Sequence, residues 1–229
     1  MRRSLSDPRA RDSRQGAPPA AQGAPRFQFS GLVLASRSPQ RTLLLEQLGI
    51  PFRVVVSEYD ESVRDADPAR TVQQNARGKA EDVLARVELR AGELVLGVDT
   101  VVVSGGEILG KAHDAAEASR YVRRLAARGH EVYSGLYLTS RKLALASHAI
   151  TGVTFRSLTD GELEAYVHSG EWRDRAGAYA IQGIGSALVR RVDGDYFNVV
   201  GLPVAELQRL LAGFGVTPFS WLRGGAPEA

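Results

Sequence analysis

Residues 31–49 read GLVLASRSPQRTLLLEQLG. The run Gly31–Ala35 is short, apolar and bounded by polar residues, which suits a buried strand. Pro39 follows after a polar turn, and proline is favoured in the first turn of a helix. Gly49 stands where that helix would end. Strand, polar turn and helix in this order open an α/β fold. Phe52–Val56 reads as the next strand, followed by the polar loop SEYDES at 57–62. Asp67 and Pro68 open a long helix with Val72, Ala76, Ala80, Val83, Leu84 and Val87 on one side. Leu94–Val98 and Val101–Val103 are β-rich, and Gly105-Gly106 turns the chain into Glu107–Leu109. Asp114 caps a helix expected to reach Ala127 and to end at Gly129. His130–Thr139 and Lys142–Phe155 read as two long strands. Thr159 and Glu162 form a capping box for a helix to Ser169. An irregular glycine-rich stretch at 170–185 precedes a strand at Ser186–Val192, a turn at Asp193–Asn198 and a last helix from Pro203 through Leu211. Helices alternate with strands early and strand pairs follow, so the class is α/β with a mixed sheet.

The chain has 229 residues, 44% hydrophobic and 24% charged, which suits one domain or two small lobes sharing a core. No run of 18 apolar residues occurs, which excludes a membrane-spanning helix. The sequence has no cysteine, so disulfides, thiolate metal sites and a cysteine nucleophile are excluded. Its four histidines are scattered singly, against a histidine-rich metal site. The net charge is +3, yet six arginines and two aspartates give residues 1–26 a charge of +4. The remainder is close to neutral, so the basicity belongs to a tail and not to a nucleic-acid-binding face. That tail is rich in Arg, Pro and Ala and is expected to be disordered. It lacks an apolar core of signal-peptide length, and a cytoplasmic location is expected. An organelle transit peptide is a second reading of it, beside an extended start. The expected organisation is a tail at 1–26, a body at 27–215 and a C-terminal tail at 216–229.

Four segments offer chemistry. Ser36-Arg37-Ser38-Pro39-Gln40-Arg41 lies between a strand end and a helix start, where backbone N–H groups, hydroxyls and arginine attract phosphate. Asp99, followed by Thr100, ends an apolar strand, where a carboxylate can bind Mg²⁺ or orient a water. Lys79 and Lys111 are two of only three lysines beside 26 arginines, and an ammonium can pair with a phosphate. In DRAGAYAIQGIG at 174–185, glycines permit close backbone approach, and Gln182 carries an amide suited to a base edge. Each has an ordinary structural reading too: a capped turn, a turn aspartate, solvated surface charges, and a loop with a structural glutamine.

Taken together, LASRSPQR, SEYDES, ARGKAE, GVDTVV, GEILGKAHD, HEVYSGL, VTFRSLTDGELEAYV, DRAGAYAIQGIG and NVVGLP resemble the Maf family of nucleotide pyrophosphatases, over about residues 31–211. The resemblance implies a fold like that of the inosine-triphosphate pyrophosphatases: a mixed, bent sheet with flanking helices and two lobes around a cleft. It implies hydrolysis of a nucleoside triphosphate to the monophosphate and pyrophosphate with Mg²⁺ or Mn²⁺. One branch of the family acts on dTTP, UTP and some modified pyrimidine nucleotides, the other on 7-methyl-GTP. Thr100 and Gln182 match the pyrimidine branch. Gln40 departs from the usual SxSPRR, which has arginine there. On this resemblance Asp99 is the proton acceptor. Lys79, Lys111 and Arg41 face the phosphates, with Ser36 and Ser38 as neutral donors. Gln40, Thr100 and Gln182 bear on substrate choice, and Glu61 joins Asp99 as a metal ligand. A homodimer and a role in clearing noncanonical nucleotides are implied as well. A non-catalytic nucleotide-binding regulator of septum formation is the competing reading. Nucleic-acid binding through the tail is another, and the near-neutral body argues against it.

Overall fold

The computed structural model describes residues 27–61 and 66–223, and the tail at 1–26 lies outside them. β1 (Gly31–Ala35) is buried along its whole length because it pairs on both sides. It runs parallel to β2 (Phe52–Val54) and to β3 (Glu93–Ser104). The parallel crossovers use α1 (Pro39–Gln47) and α2 (Pro68–Arg86). From β3 the sheet turns antiparallel through β5 (Gly129–Thr139), β6 (Ala144–Phe155) and β7 (Val189–Asp193). The order is β2-β1-β3-β5-β6-β7, and β4 (Glu107–Leu109) pairs with the end of β3 as the seventh strand. α3 (Ala115–Leu125), α4 (Asp160–Ser169), α5 (Tyr196–Val200) and α6 (Val204–Gly213) complete the described elements with two short 3-10 turns.

Several expectations needed correction. The β-rich pieces 94–98 and 101–103 are one strand, because Asp99 and Thr100 stay paired with Gly135 and Ser134. β2 stops at Val54, short of the expected Val56. Gly129 does not end α3: Ala127 takes the left-handed conformation at φ 56°, and Gly129 opens β5. The expected strand from Ser186 begins as a 3-10 turn at Gly183–Leu188, and only Val189–Asp193 is β. The turn after Asp193 contains α5, capped by Asp195, with Asn198 buried. The capping box of Thr159 and Glu162 is formed, and left-handed Gly170 ends α4. Packing continues past residue 215: Val216 and Trp221 are buried, and Trp221 Nε1 donates to the Leu48 carbonyl at 3.0 Å.

Two apolar clusters share the long strands. One joins Leu94, Leu96 and Val98 of β3 to α1 and α6 through Leu44, Leu45, Leu207 and Leu211. The other joins Val102 and Phe155 to Val122 and Leu125 of α3 and Leu163 of α4. These are two lobes on one sheet. Alternation along β3 sends Val95, Val101 and Val103 to the opposite face, and Asp99 with them, toward α2. Two glycines set how close α2 comes. A Cβ on Gly97 would lie 2.0 Å from the Ala76 carbonyl oxygen, and one on Gly135 would lie 2.3 Å from that of Val72. The helix backbone rests directly on the strands.

His130 marks the second lobe. Its Nε2 lies 2.9 Å from the Tyr179 hydroxyl, and its ring stands edge-on to Phe155. Burial pulls the imidazole down from 6.5 to about 4. The unfolded chain therefore binds a proton below about pH 6.5 that the folded chain refuses until about pH 4. Stability from this group is full above that window and falls through it on acidification.

Three substitutions test these features of the fold. Gly97→Ala must push α2 outward and should cost about 2–3 kcal/mol or more in urea unfolding. Gly161→Ala, in open space on α4, should gain up to about 1 kcal/mol. Between pH 7 and pH 5, His130→Gln should lose about 2 kcal/mol less than the unaltered chain. Parallel losses in the two proteins would show that His130 does not carry that window.

Candidate active site

β3 has an open edge. β1 pairs with it as far as Gly97, and β4 begins pairing at Val102. Between these points Val98 to Val101 face no strand of the described residues on that side. The carbonyl of Val98, left without a strand donor, receives Arg41 Nη1 at 2.9 Å and Lys79 Nζ at 3.4 Å. Two cations thus fill the gap. Asp99 and Thr100 sit in the same gap on opposite faces of the strand.

Asp99 is 5% exposed. Its Oδ1 lies 2.7 Å from Lys79 Nζ, and its Oδ2 accepts a hydrogen bond from Asn75 Nδ2 at 2.9 Å. Lys79 Nζ also lies 2.9 Å from Glu61 Oε1, so its three hydrogens have three acceptors. Burial is the largest influence on the Asp99 carboxyl and pushes its pKa up. The Lys79 charge, the hydrogen bonds from Lys79 and Asn75, and the Arg41 charge outweigh it and hold the pKa below the usual value. Asp99 is therefore an ionised carboxylate in a nearly dry setting.

Arg41 is buried behind this pair. Its Nε donates to the Gly201 carbonyl at 2.8 Å, Nη1 to Ser36 Oγ and Val98 O at 2.9 Å each, and Nη2 to Thr100 Oγ1 at 3.1 Å. Four of its five N–H groups are thus used inside the protein. Burial pulls its pKa down, with the charges of Asp99 and Glu61 acting against that. The Thr100 hydroxyl, expected at the base, is shared between Arg41 and Ser134 Oγ at 2.8 Å.

The start of α1 faces the same space. Ser38 is its N-cap residue but makes no side-chain capping bond. Its hydroxyl donates to Gln40 Oε1 instead, at 3.2 Å. The first-turn N–H groups are left for another acceptor, which favours an anion. Across the cleft, Lys111 is well exposed and 3.8 Å from Asp174. Gln182 is half-buried, and its amide makes no hydrogen bond among the described residues. Ser36, Ser38, Gln40, Arg41, Glu61, Lys79, Asp99, Thr100, Lys111 and Gln182 all line one cleft of about 960 Å³. A smaller depression of about 420 Å³, over Gly129 and Arg191, contains none of them.

Glu61 and Asp99, the expected metal ligands, meet at the Lys79 ammonium. Among the described residues no group of three or more His, Cys, Asp or Glu side chains could hold a metal ion. The pair still fits Mg²⁺, which takes hard oxygen ligands and commonly uses one or two carboxylates with substrate phosphates.

Sequence reasoning missed Asn75 and Glu171. Asn75 stands four residues before Lys79 on α2, so helical spacing alone puts both on one face. Glu171 accepts from the backbone N–H groups of Ile184 at 2.9 Å and Gly185 at 2.6 Å, and so anchors the loop bearing Gln182. No local pattern announces that contact.

The family model described as Maf-like protein matches residues 31–214. The chain is 49% identical over 191 residues to a dTTP/UTP pyrophosphatase of Moorella thermoacetica, covering 82% of this chain and 97% of that one. It is 45% identical over 196 residues to a dTTP/UTP pyrophosphatase of Symbiobacterium thermophilum, covering 85% and 98%. A dTTP/UTP pyrophosphatase of Deinococcus radiodurans is 43% identical over 199 residues, covering 87% and 98%.

Removing a donor to Asp99 must make its charged form less favourable. In Asn75→Ala, the Asp99 carboxyl carbon should titrate at higher pH by ¹³C NMR than in the unaltered chain. An unmoved midpoint would show that the Asn75 hydrogen bond has no part in setting it.

Proposed function

The chain belongs to the Maf-like protein family, and on that premise we propose that it hydrolyses dTTP and UTP to the monophosphate and pyrophosphate. The observation that carries this reading is the ionised Asp99–Lys79 pair at the open edge of β3, beside an uncapped helix start. Relatives 43–49% identical over most of the chain, each named a dTTP/UTP pyrophosphatase, support the substrate. No helix among the described residues is long and apolar enough to cross a membrane. A homodimer and a cytoplasmic location belong to the same reading, through the family resemblance.

The substrate carries several negative charges. The first-turn N–H groups of α1 and Lys111 are the donors open to its phosphates, and the Ser38 hydroxyl joins them once it turns away from Gln40 Oε1. Arg41 acts from behind as a fixed positive charge with one N–H to spare, and it orients the Ser36 and Thr100 hydroxyls. The reaction forms a bond from water oxygen to the α-phosphorus and breaks the bond from that phosphorus to the bridging oxygen. Pyrophosphate leaves with the bridging oxygen, and the proton from water passes toward Asp99. Asp99 is a weak base, so it accepts that proton late, once the water oxygen is bonding to phosphorus. Lys79 holds the Asp99 carboxylate in its charged form and in one orientation. Glu61 and Asp99 would hold a divalent ion, and such an ion, when bound, lowers the pKa of a coordinated water. The free amide of Gln182 and the half-buried side chain of Gln40 are the polar groups left to meet the base.

Pyrophosphate release should be measured with dTTP, UTP, CTP, GTP, 7-methyl-GTP and ITP, each with Mg²⁺ and with Mn²⁺. Fast release from dTTP and UTP is the expected result. Asp99→Asn should remain folded by circular dichroism and lose about 100-fold or more in kcat. Preference for 7-methyl-GTP would move the chain to the other branch of the family. Nucleotide binding without turnover would favour the regulator instead.

A further inference from the structure

The geometry points to Arg175 as a binding residue for the pyrophosphate end of the substrate, on the lip of the cleft opposite Asp99. This rests on the reading of the site as a triphosphate pyrophosphatase, and it assigns a role that neither the motifs nor the family resemblance gave.

The loop around Arg175 is held rigidly. Gly177 N donates to the carbonyls of Leu109 at 3.2 Å and Gly110 at 2.9 Å, and Lys111 pairs with Ala176 as an isolated bridge. Asp174, Gly177 and Ala178 take left-handed conformations at φ 60°, 66° and 59°. Non-glycine residues avoid that region unless their surroundings enforce it. Trp172, Ala178 and Tyr179 of the same loop pack into the second lobe's core. Arg175 is thus presented beside Lys111 by fixed backbone.

The side chain itself is unsatisfied. Arg175 lines the cleft, and its Nε is buried with no hydrogen-bond partner among the described residues. Among the described residues no carboxylate pairs with it. Arg77, Arg86, Arg123, Arg156 and Arg209 each hold an acid on the protein's own surface. Arg37 and Arg173 line the cleft without an acid as Arg175 does, but among the described residues Arg175 is the arginine with a buried nitrogen left unpartnered. A guanidinium half drawn into a wall without a partner is costly. The Nη groups of Arg175 are not buried and carry no hydrogen bond among the described residues, so they are the atoms an oxyanion in the cleft would meet, and the planar fork suits phosphate oxygens. Arg41 is not free for that task, having committed four N–H groups inside the protein. With the reaction centre at Asp99, Lys111, Arg173 and Arg175 are the cations that segments 110–113 and 171–176 bring to the cleft, where the leaving pyrophosphate would be met; Arg173 is exposed and stacks on the Trp172 ring.

The test uses the full chain with Mg²⁺ and follows the binding of inorganic pyrophosphate and of dTMP by calorimetry. Arg175→Gln should weaken pyrophosphate binding about tenfold or more and change dTMP binding little. Its KM for dTTP should rise similarly while the ranking of dTTP, UTP and CTP stays unchanged. Arg175→Lys, which keeps the charge and loses the fork, should recover part of the pyrophosphate binding. Three outcomes overturn the proposal: unchanged pyrophosphate binding in Arg175→Gln, equal loss for both ligands without recovery in Arg175→Lys, or no pyrophosphate binding by the unaltered chain. Failure of the unaltered chain to release pyrophosphate from any triphosphate sinks the functional reading by itself. The binding comparison still decides Arg175 in that case.

Discussion

α2 lies directly on the backbone of β3 and β5, and the chemistry of the cleft depends on that contact. Gly97 and Gly135 leave room for the carbonyls of Ala76 and Val72, where any side chain would collide. Because the helix comes so near, the short Asn75 side chain reaches Asp99 Oδ2, and the Lys79 ammonium meets Oδ1 deep in the protein. A helix held at an ordinary distance by alanine or valine would leave Asp99 facing water. The carboxylate would then have neither its fixed orientation nor its dry setting.

Such a pair is a poor way to gain stability. Bringing a carboxylate and an ammonium out of water costs several kcal/mol per ion, and their attraction often does little more than offset it. A leucine and a methionine of like volume would hold the lobe as well. The pair makes sense as a device that keeps an acid ionised where burial alone would neutralise it. The strand edge shares in this. Had β1 run two residues further, its backbone would have taken the Val98 carbonyl and closed the space where Arg41 and Lys79 now meet. The early end of β1 and the late start of β4 are therefore part of the site.

Much of this was legible. The strand–turn–helix at 31–49, the capping box at Thr159 and Glu162, and the hairpin at Gly105-Gly106 depend on near neighbours, and local residue chemistry settles them. The ten side chains singled out in the sequence do line one cleft. What escaped was set by distant partners. Gly129 looked like a helix stop, but Ala127 N donates to the Arg156 carbonyl and Phe155 N to that of Arg128, which draws the chain into the sheet early. Asp99 and Thr100 looked like a break in a strand, but pairing with Gly135 and Ser134 carries the strand through them. Asn75 was within reach of sequence reasoning, since helical spacing joins it to Lys79. Glu171 was not, because its partners Ile184 and Gly185 lie across an irregular loop.

The two arginines of the cleft show the same limit most clearly. In sequence, Arg41 sits in a phosphate-type turn and Arg175 in a glycine-rich loop, and the first looks like the ligand. Their hydrogen bonds separate them. Arg41 meets the carbonyls of Val98 and Gly201, from segments 57 and 160 residues away, and becomes a brace between α1, β3 and the residue that follows α5. Arg175 finds no acceptor among the described residues, neither for its buried Nε nor for its terminal nitrogens. Residue type and motif say that a cation is wanted in such a cleft. Which cation is spent on the fold and which is left for the substrate depends on where unpaired carbonyls fall in three dimensions. The open edge of β3 places one of them beside Arg41 and none beside Arg175.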